Sequence, residues 1–251
     1  MNQAKLTRKI EELSMNALPA LQTQMDDGWI LRYANGYTKR ANSVNPLYPS
    51  YDEDVNGKIE RSTTAFTERN IQVAYKITPL TSPSELDHIL ETMDYSVASL
   101  TGVQVLSLED IEAPSETHVL IYNEMPEARF QDFCRLNNIH ERDHSIFRNV
   151  LSNIIPTTCF IFLVDEKDST LACGLGVLED EFIGLFNIAT DEEVRNRGHG
   201  TKLVRNLLYW GKRNGAKNAY LQVVLTNEPA LNLYTRLGFK ELYRYWFRVE
   251  N

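Results

Sequence analysis

An α/β (α+β) fold, with a mixed, mostly antiparallel central sheet flanked by helices, is predicted for this chain on three observations. Residues 159–190 read as an antiparallel meander. "CFIFLVD" (159–165), "LACGLGVLE" (171–179) and "FIGLFNIAT" (182–190) are apolar runs joined by the short polar connections "EKDST" and "DE", as hairpins require. From Gly198 the period lengthens, and Leu203, Leu207, Leu208 and Trp210 to Gly211 trace one face of a helix. Beyond it, "AYLQVVL" (219–225), "NEPALNLYTRLGF" (227–239) and "KELYRYWFRVE" (240–250) read as strand, helix and strand.

The remaining elements follow from local signals. The opening "MNQAKLTRKIEELSMNALPALQ" has the pattern of an amphipathic helix and no apolar signal core. "THVLIY" (117–122) has the apolar content of a strand, and polar-rich helices are expected near 126–138 and 141–153. "RNGA" ends the helix that starts at Gly198, with Gly215 as its cap. Pro229 in the first turn of the next helix and Gly238 after its last are the asymmetry expected of helix ends.

The first half aligns with the second when shifted by 144 positions. "WILRYA" (29–34) falls on "CGLGVL" (173–178), Val44 on Ile188, "IERSTTAFTERN" (59–70) on "LVRNLLYWGKRN" (203–214), and "MDY" (93–95) on "LGF" (237–239). "SPSE" (82–85), with the pattern of a capping box, precedes a helix near where "NEPA" precedes the later one. Identity is slight. Two unrelated α/β segments could coincide in this way, but the shared order and spacing favour an internal duplication. The boundary then lies near Leu108 to Pro114, giving domains of 1–112 and 113–251.

Composition narrows the partners. Hydrophobic residues make up 43% and charged residues 24% of the 251, enough for a buried core. A net charge of −8 argues against general binding to nucleic acid or an anionic membrane. Cys134, Cys159 and Cys173 are odd in number and have no metal-ligand spacing, which points to reduced thiols and no metal site. No stretch approaches the ~20 apolar residues of a membrane span. The expectation is a cytoplasmic protein, monomer or homodimer.

One stretch carries chemistry. "VRNRGHGTKL" (194–203) places two arginines and two glycines before an apolar helix and after an apolar strand. A helix N-terminus exposes unpaired N–H groups and about half a positive charge. Glycines there let the backbone approach a phosphate, and arginines add forked donors. The arrangement suits a pyrophosphate, although R-x-x-G-x-G alone is a weak signal. One strand downstream stand Asn227, Ala230, Tyr234, Gly238 and Phe239 in the pattern N-x-x-A-x-x-x-Y-x-x-x-G-F.

With both motifs present, residues 117–251 resemble the GNAT superfamily of acyl-CoA-dependent N-acetyltransferases. The resemblance implies acetyl-CoA as co-substrate and sets roles on individual residues. Arg195, Asn196, Arg197, Gly198, His199, Gly200 and Thr201 cradle the coenzyme A pyrophosphate through backbone N–H groups. His199 fills the loop, where no base is needed. Ile188, Ala189 and Thr190 splay from the neighbouring strand and pair with the pantetheine arm, the Ile188 N–H facing the acetyl carbonyl. Asn227 helps hold the cofactor at the splay, and Tyr234 protonates the leaving thiolate. A purely structural Tyr234, filling the core, is the alternative from the residues alone.

The sequence departs from the family where some relatives carry a glutamate base: that position is Gly184. Glu179 and Glu181 lie nearby at an expected hairpin turn. Proton removal is therefore expected through water or a residue from the first half. In that half, Gly198 corresponds to Asp54 in "YDEDVNG" (51–57), and Tyr234 to Leu90. Three carboxylates would repel a phosphate, so this half reads as a degenerate GNAT-like scaffold or acceptor-side wall. Its stretch 32–51 either lines the acceptor cleft or forms ordinary strands and loops. The expected activity is acetyl transfer to a primary amine, on a small molecule or a peptide, by direct attack in a ternary complex. A non-catalytic acyl-CoA-binding sensor or interaction module is the alternative.

Overall fold

A computed structural model of the chain describes residues 2–115 and 118–251. In chain order the first elements are α1 (Gln3–Ala17), β1 (Gln22–Asp26), β2 (Trp29–Tyr33), β3 (Ser43–Pro46), α2 (Val55–Thr67), β4 (Ala74–Ile77), α3 (Leu86–Thr92) and β5 (Tyr95–Ser107). Next come β6 (Val119–Tyr122), α4 (Glu127–Leu136), α5 (His144–Ser152), β7 (Thr157–Val164), β8 (Thr170–Glu179) and β9 (Phe182–Thr190). The chain closes with α6 (His199–Arg213), β10 (Asn218–Val224), α7 (Glu228–Arg236) and β11 (Lys240–Glu250). Thr117, the first residue of the strand expected at 117–122, lies outside the described residues.

The chain forms two compact units. Unit 1 holds the chain up to Val103, Ile146–Asn153 and Leu242–Asn251; unit 2 holds Gln104–Ser145 and Ile154–Glu241. In unit 1, β1, β2 and β3 pair antiparallel, β3 meets β4 in parallel, and β11 pairs antiparallel with β4. Trp29, Val44, Ile59, Phe66, Tyr75 and Leu90 form its core against α2 and α3. A buried polar cluster ties α1 into this sheet. Glu11 bonds the Lys76 ammonium at 2.5 Å and accepts from the Tyr243 hydroxyl at 2.5 Å. Each charge is thereby paired, as burial demands.

Unit 2 contains the predicted meander, β6, β7, β8 and β9 pairing antiparallel in sequence order. After α6 the chain returns as β10, parallel to β9, because a parallel neighbour needs a helical crossover. The apolar face read from the sequence is the buried one, with Leu203, Leu207 and Leu208 each at 0% exposure. The helix lies close on the sheet: a Cβ on Gly174 would meet Leu207 of α6 at 3.1 Å, and one on Gly211 would meet Ile183 at 2.8 Å.

The order of elements recurs at the 144-residue spacing. His199 and Asn218, which open α6 and β10, lie 144 residues beyond Val55 and Ala74, which open α2 and β4. In both series a strand, helix, strand, helix and strand follow one another. Compactness divides the chain differently from the contiguous 1–112 and 113–251, because β11 ladders onto β4 and most of α5 goes with unit 1. Two local expectations change. The segment 141–153 is a short 3-10 turn, Glu141–Asp143, leading into α5. The capping box at 82–85 does not form: Glu85 is the N-cap of α3 and no side chain bonds there.

Candidate active site

The site is built at the end of β9, where the sheet opens. Pairing between β9 and β10 runs from Phe182↔Asn218 to Leu185↔Leu221 and stops there, although both strands continue. Phe186 to Thr190 keep β8 on one side, with a β-bulge: Asn187 and Ile188 stand where β8 offers Gly174. Asn187 takes φ +51°. Its side chain donates to Asn137 Oδ1 at 3.4 Å, just beyond α4. Ile188, Ala189 and Thr190 thus lie half-buried on the open stretch.

The loop that follows is held from inside. Asp191 takes an Arg135 hydrogen bond at 2.6 Å and the Glu193 N–H at 3.0 Å. The Arg135 guanidinium, foremost, keeps the Asp191 carboxyl below its usual range. Arg195 pairs with Glu192 at 3.0 Å, and Arg195 and Arg197 are exposed. Asn196 and Gly198 both adopt left-handed backbone, φ +62° and +84°, which turns successive N–H groups toward one side. Gly198 is the N-cap of α6 and brings no capping side chain. Among the described residues, the N–H groups of Gly198, His199, Gly200 and Thr201 have no acceptor within the chain. Burial, with Lys202 and Arg197 adding to it, pushes the His199 imidazole down, favouring its neutral form.

The two glycines differ in purpose. Nothing lies within 4 Å of a Cβ built on Gly198, and its positive φ is the constraint. A Cβ on Gly200 would meet Leu233 of α7 at 3.0 Å and Thr190 Oγ1 at 3.4 Å. Gly200 therefore lets α6 start against α7.

On α7, Asn227 is the N-cap, accepting from the Ala230 N–H at 3.2 Å. Tyr234 is buried to 7% exposure and packs edge-on against Phe239, with centroids 5.7 Å apart. Its hydroxyl bonds to no group among the described residues, yet it is not sealed as Ser14 Oγ and Gln104 Oε1 are. Burial alone pushes the phenol up to about 12.

The α2 start makes an instructive contrast, because there the N–H groups of Val55, Gly57 and Lys58 already have acceptors within the chain. Asp54 caps α2 through the Gly57 N–H at 2.9 Å. The Asp27 carboxylate accepts from the N–H groups of Tyr51 and Asp52 at 2.9 and 2.8 Å. Those bonds hold the Asp27 carboxyl below its usual range. The chain's own carboxylates stand where an anion would, and Leu90, aligned with Tyr234, is sealed in the unit 1 core.

The missing glutamate has a steric reason that sequence reading overlooked. A Cβ on Gly184 would meet Phe186 and the Tyr220 ring and hydroxyl, all at 2.6 Å. Tyr220 stands directly opposite Gly184 in the ladder. Gly184→Ala should accordingly lower the unfolding midpoint in a thermal melt, by overpacking of about 1–3 kcal/mol; an unchanged midpoint would mean that the Tyr220 ring moves aside freely. Glu179 and Glu181 flank a hairpin turn at Asp180, with Glu181 paired to Lys217. All three cysteines are buried, and burial pushes the Cys159 thiol up to about 12. Among the described residues no three His, Cys, Asp or Glu are placed to hold a metal, and no helix is long and apolar enough to cross a membrane.

A splayed parallel pair, a bulge beside it and an uncapped helix start after it define the GNAT acetyltransferase fold. The comparisons agree. Residues 5–248 match the family described as probable histone acetyltransferase Rv0428c C-terminal, and the chain belongs to that family of GNAT N-acetyltransferases. It is 28% identical over 247 residues to the uncharacterized N-acetyltransferase YobR of Bacillus subtilis, covering 97% of this chain and 98% of that one. A GCN5-related N-acetyltransferase from Kribbella flavida superposes with a TM-score of 0.71 at 13% identity, covering 97% of this chain and 95% of that one. A tandem GNAT protein from the clavulanic acid biosynthesis pathway superposes at 0.66 with 10% identity, covering 96% and 87%. These two share the fold, and the protein is an acyltransferase.

Proposed function

We propose that the protein transfers an acetyl group from acetyl-CoA to a primary amine, by direct attack, using unit 2 alone for the cofactor. The observation that carries this reading is the uncapped start of α6 beside the open end of β9, set against the self-capped start of α2. The loop from Arg195 to Thr201 receives the pyrophosphate on its N–H groups, with Arg195 and Arg197 adding positive charge. The pantetheine arm lies along Ile188, Ala189 and Thr190, and Asn227 stands at the far side of the splay. The amine nitrogen attacks the thioester carbon, and the Ile188 N–H stabilises the oxygen as it gains charge. The carbonyl re-forms as the C–S bond breaks, Tyr234 gives its proton to the sulfur and regains one from solvent, and the attacking nitrogen loses its proton to water. Gly184 leaves no carboxylate on β9 for that last step, and the burial of the cysteines, which pushes the Cys159 and Cys173 thiols up, favours direct attack over an acyl-enzyme.

The test is thiol release from acetyl-CoA across a panel of small-molecule and peptide amines. Amine-dependent release with acetylated product is the expected result. Tight acetyl-CoA binding with no release against any amine would instead point to a sensor. A titration by calorimetry should also find one acetyl-CoA per chain, since Asp27 and Asp54 fill the equivalent positions in unit 1. Two equivalent sites would overturn that assignment.

A further inference from the structure

Unit 2 holds a buried polar side chain that the chemistry above does not use. Gln104, on β5, is 5% exposed, and its Oε1 is sealed without a hydrogen-bond donor. Its amide nitrogen, which meets no acceptor among the described residues, is not sealed in this way. Buried polar atoms are nearly always paired, so an orphan calls for a reason.

Its position supplies one. β5 neighbours β10 in the sheet, and the Leu108 N–H donates to Lys217 O at 2.9 Å, just before β10 begins. Only an antiparallel course then lays β5 along β10, so Gln104 comes level with the stretch around Leu221. That is where β9 and β10 part. Leu106 packs into the cluster that contains Tyr234, and it is the neighbour that a Cβ on Gly238 would meet. The two-residue period of a strand puts Gln104 on the same face as Leu106. The orphan amide therefore sits at the open end of the splay, on the face that carries α6 and α7.

We propose that Gln104 is a further cofactor-positioning residue, its side-chain amide pairing with an amide group of the pantetheine arm. This rests on the acetyl-CoA reading above. An amide offers one donor edge and one acceptor edge, and rotation about its last torsion presents either. Pantetheine brings the complementary pair. The orphan state of the free protein is then relieved when the arm enters.

The test compares Gln104→Met, close in size but without polar atoms, with wild type in the intact chain. The melting midpoint of the free protein should hold or rise, because a sealed, unpaired acceptor is removed. Acetyl-CoA affinity should fall about tenfold, the loss of a hydrogen bond or two. Affinity for 3′-phospho-ADP, which has the phosphates and no pantetheine, should not change. Unchanged acetyl-CoA affinity in Gln104→Met, with Gly198→Asp still abolishing it, overturns the role of Gln104 and leaves the cofactor reading standing. Unchanged affinity in both variants overturns the cofactor reading itself. A lowered midpoint, or equal loss for both ligands, makes Gln104 a structural residue and also overturns the proposal.

Discussion

Gly198→Asp is expected to abolish acetyl-CoA binding and leave the fold intact. The substitution rebuilds at α6 what α2 already has, where Asp54 caps the Gly57 N–H. A carboxylate at position 198 takes N–H groups otherwise open to phosphate, and it repels the phosphate. Two charge-assisted bonds lost at about 1.5–3 kcal/mol each amount to at least ~10²-fold in affinity. Stability should change little. Left-handed backbone costs an L-residue about 1–2 kcal/mol, with Asp among the types that tolerate it. A new N-cap offsets about 0.5–2 kcal/mol of that, and no atom lies within 4 Å of the new Cβ. Gly200→Asp is the poorer probe, since its Cβ meets Leu233 at 3.0 Å and packing would change together with charge. Calorimetry gives the affinity and a thermal melt the stability. A folded Gly198→Asp variant with wild-type affinity would remove the loop from the cofactor site.

That experiment depends on a loop legible in the sequence, as was most of the second half. Alternation and period marked β7, β8, β9, α6, β10, α7 and β11, because each buries one face or stripe and its polar residues fall at the turns. The 144-residue offset was legible too, because it rests on element spacing rather than residue identity. Four features were not. The bulge at Asn187 depends on pairing across strands, and nothing local in "FIGLFNIAT" marks one residue as surplus. The carboxylate that fills the α2 start is in part Asp27, which lies 24 residues before Tyr51 and meets it only in the fold. The glutamate's absence at Gly184 was visible, but its cause, the Tyr220 ring, belongs to a strand 36 residues on in sequence. Each depends on contacts between distant segments, which periodicity does not encode. Gln104 left no sequence signal at all: a glutamine in a strand looks the same whether its amide is paired or not.

The second large effect is expected from Tyr234→Phe, which should lower kcat by ~10²–10⁴-fold, the usual worth of a positioned general acid. The Tyr234 hydroxyl bonds to nothing among the described residues, so removing it leaves no stranded partner. The ring should keep its packing against Phe239, 5.7 Å away, and the Michaelis constant for acetyl-CoA should change little. With the phenol pushed up to about 12, its acid form is essentially complete two units and more below that. Activity should therefore show no alkaline decline from this residue up to about pH 10. The same shift makes proton transfer harder. Against a thiol near ~8.5, taking cysteine as the guide, the gap is roughly 3.5 units, or about 5 kcal/mol at ~1.36 per unit. A thiolate forming in the same buried site is itself destabilised by desolvation, which narrows that gap as the C–S bond lengthens. Transfer late in bond breaking follows, so the penalty of Tyr234→Phe should shrink with an acyl donor whose thiol is more acidic. Single-turnover kinetics with acetyl-CoA and such a donor measure both effects. Wild-type turnover by Tyr234→Phe, with chemistry rate-limiting, would assign the tyrosine to core packing and place the acid elsewhere.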